Sequence, residues 1–194
     1  MPFPYYNSLS AAKKKTYRKS DAIERVALRH PGRIHSVTIA LRQSLEDNRR
    51  RDVAKHASEI CRLVCLDLGI ETLAVKIKSR RPSRSDEELQ GLYEQADGGT
   101  CVLTVWMKTA AKGRVVAFRS FIRTVLHELC HHIDYKYLNL DDSLHTGGFF
   151  RREASLYKQL VPVELRRKEP KKKKAPRKRI NRQGSEEPEQ MGLF

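Results

Sequence analysis

The chain lacks several features that define large classes of proteins. No apolar run approaches the roughly 20 residues that cross a membrane, and the segment Met1–Tyr6 has no apolar core of a signal peptide. There is no internal repeat and no Cys-x-x-Cys pair. The 194 residues are 39% hydrophobic, which is enough for one core of about 120–130 residues. We therefore expect a cytoplasmic protein with one main domain, associated with the nucleoid if it is bacterial.

Cysteine is scarce as well, with four residues in the chain. Cys61 and Cys65 share one face of an apolar helical run, which is typical of reduced cysteines in a core. A Cys-x-x-x-Cys metal site would need two more ligands nearby, and the sequence does not offer them.

Positive charge is abundant, with a net charge of +16. Residues 166–182 hold eleven Lys or Arg and one Glu, and the last twelve residues hold three Glu and no base. The other 165 residues still carry +9. A basic body with a basic tail indicates a polyanionic partner, of which nucleic acid is the commonest.

The strongest motif is His127-Glu128-Leu129-Cys130-His131, an HExxH pattern. On a helix, residues i and i+4 lie above each other on one face, so both imidazoles can bind one Zn²⁺ ion. Glu128 is then placed to take a proton from a metal-bound water. Around the motif, apolar residues recur at helical spacing on one face, and polar residues that include both histidines recur on another. The spacing predicts a helix over residues 116–135.

A hydrolytic zinc site needs a third protein ligand and an open fourth position. His145 is the first candidate, because a turn-rich segment precedes it and the pair Gly147-Gly148 behind it would allow a close approach near the metal. Glu153, on a helix predicted from residue 149 to 160, is the second candidate. Asp134 is better placed to orient a ligand imidazole, and His132 points away from the ligand face.

The residues His127 to Asp134, followed by His145-Thr-Gly-Gly-Phe-Phe150, resemble the SprT-like metalloprotease domain. This family includes the Spartan-type proteases of DNA–protein crosslinks. The resemblance covers residues 34–161 and implies that His127, His131 and His145 bind Zn²⁺ and that Glu128 is catalytic. Thr146 is an insertion relative to the family's His-Gly pair, and the zinc ribbon of some relatives is missing.

The order of predicted elements is N-terminal helices, a small antiparallel sheet, the HExxH helix and a closing helix, which is an α+β layering. It agrees with the zincin-like fold that the resemblance implies, in which a sheet covers the active-site helix. We predict a short helix over residues 21–29, helices over 34–68 with a break at 46–51 and a C-terminal cap at Gly69, and strands over 73–78, 92–95 and 101–107.

Substrate contacts are predicted around the third of these strands. We expect the strand from Cys101 to Met107 to be the edge that binds an extended peptide. Trp106 on this strand is either a core residue or a recognition residue, and the first is favoured. Tyr135, Tyr137 and Arg151 are candidate donors to a developing oxyanion.

The domain organisation follows from these patterns. We expect an N-terminal arm with a short helix (1–33), the protease domain (34–162), a basic flexible and disordered linker (163–185) and a terminal peptide (186–194). Arg49, Arg50 and Arg51 and the loop 79–84 are candidate phosphate contacts. No aromatic residue lies among the basic residues of the tail, so the tail would bind nucleic acid through charge. Its candidate phosphate contacts are Lys171, Lys172, Lys173, Lys174, Arg177, Lys178 and Arg179.

The final residues resemble the bacterial sliding-clamp-binding motif, in which Gln190 would bind beside an apolar pocket filled by Leu193 and Phe194. The alternative is a chance C-terminus. Together the patterns predict a zinc endopeptidase of DNA-bound proteins, in which Glu128 assists attack of the metal-bound water on a peptide bond. Two alternatives stay open, a regulatory HExxH protease that cleaves one repressor-like protein, and a non-catalytic zinc-stabilised module that binds DNA or a clamp.

Overall fold

The computed structural model describes residues 3–82, 90–95 and 99–166 as an α+β fold with six α-helices and one three-stranded mixed sheet. A short 3₁₀ helix, Pro4–Ser8, precedes them. In chain order the elements are α1 (Ala11–Ala22), α2 (Gly32–Glu46), α3 (Arg50–Leu68), β1 (Ala74–Arg80), β2 (Gly91–Glu94), β3 (Val102–Lys108), α4 (Phe118–Lys136), α5 (Gly147–Leu160) and α6 (Val163–Arg166).

The sheet has the order β1-β3-β2, with β1 parallel and β2 antiparallel to β3. Two predictions are therefore wrong: the sheet is mixed rather than antiparallel, and the strand at 102–108 is central rather than an edge. The physical reason is visible in burial, since five successive residues of β3 are buried. A strand covered on both faces reads as a nearly continuous apolar run, which fits the centre of a sheet.

One apolar core joins the sheet to the helices. The inward side chains of β3, Leu103, Val105 and Met107, belong to it together with Ile122, Val125 and Leu129 of α4. Trp106 is 5% exposed and is absent from this cluster because it lies on the outer face of the sheet. Helix α4 thus lies between the sheet and α5, which fixes the position of the HExxH motif.

Several predicted boundaries are confirmed. The helical run 34–68 is divided where expected into α2 and α3, and Asn48 between them has a positive φ of 56°. Gly69 ends α3 in the left-handed conformation, with φ of 68°.

The first four residues of the predicted linker form α6, and the rest of the tail lies outside the described residues.

The N-terminal helix differs from its prediction. It covers residues 11–22 rather than 21–29, and Ser10 caps it by accepting a hydrogen bond from the Lys13 N–H. The following segment is non-helical because its backbone N–H groups bond to side chains of other elements. Leu28 donates to Gln159 Oε1 at 2.9 Å, and His30 donates to Asp67 Oδ1 at 3.0 Å. Tertiary contacts therefore override the local helical pattern.

Helix α1 packs closely on the start of α5. A Cβ atom added to Gly148 would stand 2.6 Å from the backbone oxygen of Asp21 and closer still to that of Ser20. The Gly148 N–H also donates to Asp21 Oδ1 at 2.8 Å. The sequence pattern assigned Gly147 and Gly148 to an approach near the metal. For Gly148 the close approach is to α1.

None of the helices in residues 3–82, 90–95 and 99–166 combines the length and apolar character of a membrane span.

Replacing Gly148 by Ala should lower the free energy of unfolding by about 1–3 kcal/mol, because the added methyl group meets backbone atoms that cannot rotate away. Chemical denaturation would measure this change. Gly32→Ala is the matched control, since no atom lies within 4 Å of a Cβ there. Equal stability of the two variants would show that α1 is not packed against Gly148.

Candidate metal centre

Three imidazole rings converge on one point beside α4. His127 and His131 lie one turn apart on α4, and His145 lies just before α5. His145 Nε2 is 3.0 Å from His127 Nε2 and 3.2 Å from His131 Nε2. The ligand atoms of all three side chains lie within 4.8 Å of one another. The structure thus brings the predicted set together, close enough to bind a metal ion.

The geometry of the three nitrogens fits a single divalent ion. Imidazole nitrogens bind Zn²⁺ at 2.0–2.1 Å in tetrahedral sites, which places two ligands of one ion about 3.3–3.4 Å apart. The two distances from His145 Nε2 are within a few tenths of an ångström of that separation. The three side chains therefore lie close enough to bind one metal ion.

The connection between α4 and α5 places His145. The chain reverses at Asn139, whose φ of 48° lies in the left-handed region that asparagine tolerates. Thr146 then caps α5 by accepting a hydrogen bond from the Phe149 N–H at 3.0 Å. From the N-terminal segment, the Tyr5 hydroxyl donates to the His145 backbone oxygen at 2.7 Å. His145 is thus held between a turn, a helix cap and the N-terminal segment.

A carboxylate orients the ring of His127. Glu153 Oε2 lies 3.3 Å from His127 Nδ1, and Arg123 Nη1 donates to Glu153 Oε1 at 3.0 Å. A proton on Nδ1 leaves the lone pair of Nε2 free for a metal, the arrangement usual for ligand histidines. Glu153, the rival third ligand, therefore lies behind His127 and outside the converging set.

His131 is oriented by a longer chain of hydrogen bonds. Its Nδ1 lies 2.7 Å from Ser143 Oγ, and Ser143 Oγ donates to Asp134 Oδ2 at 2.9 Å. Arg152 Nη2 in turn donates to both Asp134 oxygens, at 2.8 and 3.0 Å. Burial and the neighbouring imidazoles of His127 and His145 lower the pKa of His131 to about 3, so the ring is neutral, as a ligand must be. Asp134 has the predicted orienting role, but acts through Ser143.

Glu128 lies against strand β2. Its carboxylate accepts a hydrogen bond from the Tyr93 N–H. A Cβ atom added to Gly91 would stand 2.7 Å from Glu128 Cγ. Glu128 is 7% exposed, and this burial raises its pKa to about 7, against the lowering effect of His127. Near neutral pH the carboxyl group can therefore accept a proton and also release one.

Tyr93 forms the β2 side of the site, and sequence reasoning missed it. Its ring stacks on His131 with centroids 6.3 Å apart, and on Tyr135 at 6.1 Å. Its hydroxyl lies 3.1 Å from Nδ1 of His132, whose Nε2 donates to the Glu71 backbone oxygen. His132 therefore points away from the metal centre, as predicted. Nothing in the pattern of a four-residue strand identifies Tyr93 as a neighbour of α4.

Two phenylalanines cover the opposite side. The ring centroid of Phe149 lies 4.8 to 5.1 Å from those of the three histidines. Phe150 stacks on His145 at 5.9 Å and is 42% exposed. The wall is apolar, and His145 and Phe150 are the exposed residues beside it.

The predicted oxyanion donors have different surroundings. The Tyr135 hydroxyl accepts a hydrogen bond from the Ser143 N–H at 3.3 Å, and Tyr137 is 43% exposed at the end of α4. The guanidinium of Arg151 pairs with Asp21 and Glu24 in the N-terminal segment. Arg151 is thus engaged away from the three histidines.

The candidate phosphate and partner contacts fall mostly outside the described residues. Arg84, the seven basic tail residues and the peptide residues Gln190, Leu193 and Phe194 all lie there. Of the rest, Arg49 pairs with Asp47 and Asp52, Arg81 is buried, and Arg80 belongs to β1. Arg50 and Arg51 are exposed at the start of α3.

No protein-family model, no curated protein and no solved structure matches the chain.

Replacing His145 by Ala should weaken binding of Zn²⁺ by more than about 100-fold. Residues that only hydrogen-bond to a metal ligand already contribute about 10- to 100-fold to metal affinity, and a ligand itself should contribute more. Competition with a chromophoric chelator would measure the affinity of the full chain. His56→Ala is the control, since that ring contacts Ser44 on α2, away from the site. Unchanged affinity in His145→Ala would remove His145 from the metal centre.

Ser143→Ala should weaken Zn²⁺ binding by about 10- to 100-fold, because it cuts the link between Asp134 and His131 Nδ1. The absorption spectrum of the Co²⁺-loaded variant should shift if the ring turns. Ser155→Ala, which removes a hydroxyl that bonds to Gln159, is the matched control. If Ser143→Ala and the control bind metal equally, the hydrogen-bond chain does not orient the ligand.

Proposed function

We propose that the chain is a zinc-dependent endopeptidase of SprT-like type, with a zincin-like fold, that cleaves proteins associated with DNA. The observation that carries the proposal is the convergence of three histidine Nε2 atoms on one point, with the buried carboxyl group of Glu128 on the same helix. Helix α4 under the sheet and the resemblance around residues 127–150 support the family and the fold.

The donor set favours zinc. Three imidazoles, two of them with a hydrogen-bond acceptor at Nδ1, are typical of a catalytic site with one open position. When bound, the ion polarises the carbonyl oxygen of the substrate and lowers the pKa of water to about 7. His145 is the exposed member of the three histidines.

Glu128 is the proton carrier in this proposal. Its carboxyl group has a pKa of about 7, so at neutral pH a carboxylate oxygen can take a proton from the attacking water. The protonated carboxyl group can then give that proton to the leaving amine nitrogen. The Tyr93 N–H and the backbone at Gly91 fix the carboxyl group in place for both transfers.

Strand β2 is the substrate-binding edge in this proposal. It is an outer strand of the described sheet, and its Gly91 and Tyr93 already contact the site. An extended peptide can pair with the unoccupied backbone groups of an edge strand. The substrate in this proposal is a segment that can adopt an extended conformation, as an unfolded or flexible segment of a protein can.

DNA association is proposed on charge. The chain carries +16 overall, and the basic tail is followed by a peptide that resembles a clamp-binding motif. Weak contacts of Gln190, Leu193 and Phe194 with a sliding clamp and weak contacts of the tail with DNA would reinforce each other through effective concentration. Such recruitment would bring the protease to proteins bound or crosslinked to replicating DNA.

Glu128→Gln should reduce cleavage of a DNA-crosslinked protein by at least about 100-fold while retaining zinc, because loss of general acid–base catalysis costs about 10²- to 10⁴-fold. Gel assays of the full chain and metal analysis would measure both quantities. Glu164→Gln, at an exposed position of α6, is the control. Cleavage by Glu128→Gln at the rate of the control would exclude Glu128 from the mechanism.

The same assay separates the alternatives. Cleavage that needs DNA supports the crosslink protease. Equal cleavage of one specific protein without DNA would support a regulatory protease. Zinc binding without any cleavage by the unmodified chain would support a non-catalytic module.

A further inference from the structure

The outer face of the sheet carries an unusual set of cations. On β1, Lys76, Lys78 and Arg80 are exposed at alternate positions, and the residue between the lysines, Ile77, points into the core. On β3, Lys108 points to the same face, because it follows the outward Thr104 and Trp106 at the same spacing. The turn after β3 adds exposed Lys112 and Arg114. We define these six cationic residues as the basic sheet face.

The register of the strands places like charges together. Arg80 and Lys108 are direct partners in the parallel ladder between β1 and β3. Like charges on facing positions repel each other and lower stability. None of the six cations forms an ion pair with a carboxylate in the part of the chain that the structure describes. Their positive charges are therefore not neutralised by an ion pair within residues 3–82, 90–95 and 99–166.

The face is also held in a fixed geometry. The Arg80 guanidinium donates from Nε to the Ala110 backbone oxygen at 2.8 Å, which ties β1 to the turn after β3. Lys78 Nζ lies 5.9 Å from the ring centroid of Trp106. Successive cations on β1 are about 6.6 Å apart, since a strand rises about 3.3 Å per residue. This spacing is comparable to that of successive phosphates along an extended nucleic-acid strand.

The basic sheet face lies close to the metal centre. Thr104 of the central strand pairs with Lys76 of β1 on one side and with Leu92 of β2 on the other. Lys76 is therefore two strand spacings, about 10 Å, from β2. Gly91 lies against Glu128 and pairs with Val105 in the ladder. Lys108 follows Val105 by three residues, so their Cα atoms are about 10 Å apart along β3. A polyanion on the outer face would therefore lie on the order of 10 Å from the part of β2 that contacts the Glu128 carboxyl group.

We propose that the basic sheet face binds the phosphate backbone of DNA and holds it beside the β2 edge, where the attached protein enters the metal centre. This inference rests on the proposed function and specifies the surface that DNA occupies. The contact is electrostatic and independent of base sequence. Trp106 is 5% exposed beneath Lys78 and offers no surface for base stacking.

The test is a double charge reversal in the full chain, Lys76→Glu with Lys78→Glu. DNA affinity, measured by fluorescence anisotropy on single- and double-stranded oligonucleotides at several salt concentrations, should fall at least about tenfold. The slope of log affinity against log salt should become shallower by about 1.4–1.8, because each lost phosphate contact removes about 0.7 for single-stranded and 0.9 for double-stranded DNA. Lys55→Glu with Lys158→Glu has the same change in net charge at exposed positions of α3 and α5 and is the control.

Equal DNA affinity and equal salt slope in the two double variants would overturn the proposal. Loss of binding to anionic vesicles with unchanged binding to DNA would overturn it too, because the face would then serve a membrane. If the unmodified chain cleaves nothing, the proposed protease function fails, yet the comparison of DNA affinities still decides the role of this face.

Discussion

The buried ion pair between Arg152 and Asp134 is the interaction on which the rest of the structure depends. Both side chains are fully buried, so each needs the other, and removing one member of such a pair costs about 3–5 kcal/mol. The same guanidinium donates to the backbone oxygens of Ser20 and Ile23. One side chain therefore joins α1, α4 and α5, and through Ser143 it reaches His131. Folding of the N-terminal segment and orientation of the His131 ring depend on the same group.

This connection explains why α1 belongs to the domain rather than to a loose arm. A sequence rich in Lys and Arg with few apolar residues gives little reason to dock by hydrophobic burial. Besides the buried ring of Tyr17, docking uses polar groups, with Ser20 bonded to Thr146 and Thr16 bonded to Asp141. Lys13 adds an ion pair with Asp142. These contacts all meet the segment that carries His145, so the N-terminal segment supports the third ligand from outside.

Local rules predicted the parts of the site that a single helix determines. The spacing of His127 and His131 follows from 3.6 residues per turn, and the helix appears where periodicity placed it. His145 was selected by residue type and by the turn-rich segment before it, and its ring does meet the other two. Tyr93, Gly91, Ser143 and Arg152 could not be found in this way, because each reaches the site only after strands and helices have assembled. Their contacts depend on tertiary distance, which no periodicity encodes.

The order and direction of the strands also could not be predicted from local sequence patterns. Each strand was predicted within a few residues, yet strand order and direction depend on which neighbours cover each face. The nearly continuous apolar run of β3 was the available signal for a central strand, but the prediction was a small antiparallel sheet with this strand at its edge. The N-terminal helix was misplaced for a related reason, since residues 24–30 bond to Gln159 and Asp67 instead of to one another.

The close approach of Gly91 to Glu128 has a consequence for how this sequence can change over time. A methyl group at residue 91 would meet the side chain of Glu128, which would have to move. A lineage that acquired a side chain at residue 91 would therefore displace the Glu128 carboxyl group from its hydrogen bond with the Tyr93 N–H. The glycine should persist through neutral drift for as long as the acid is under selection, even while its exposed neighbour Leu92 is free to vary.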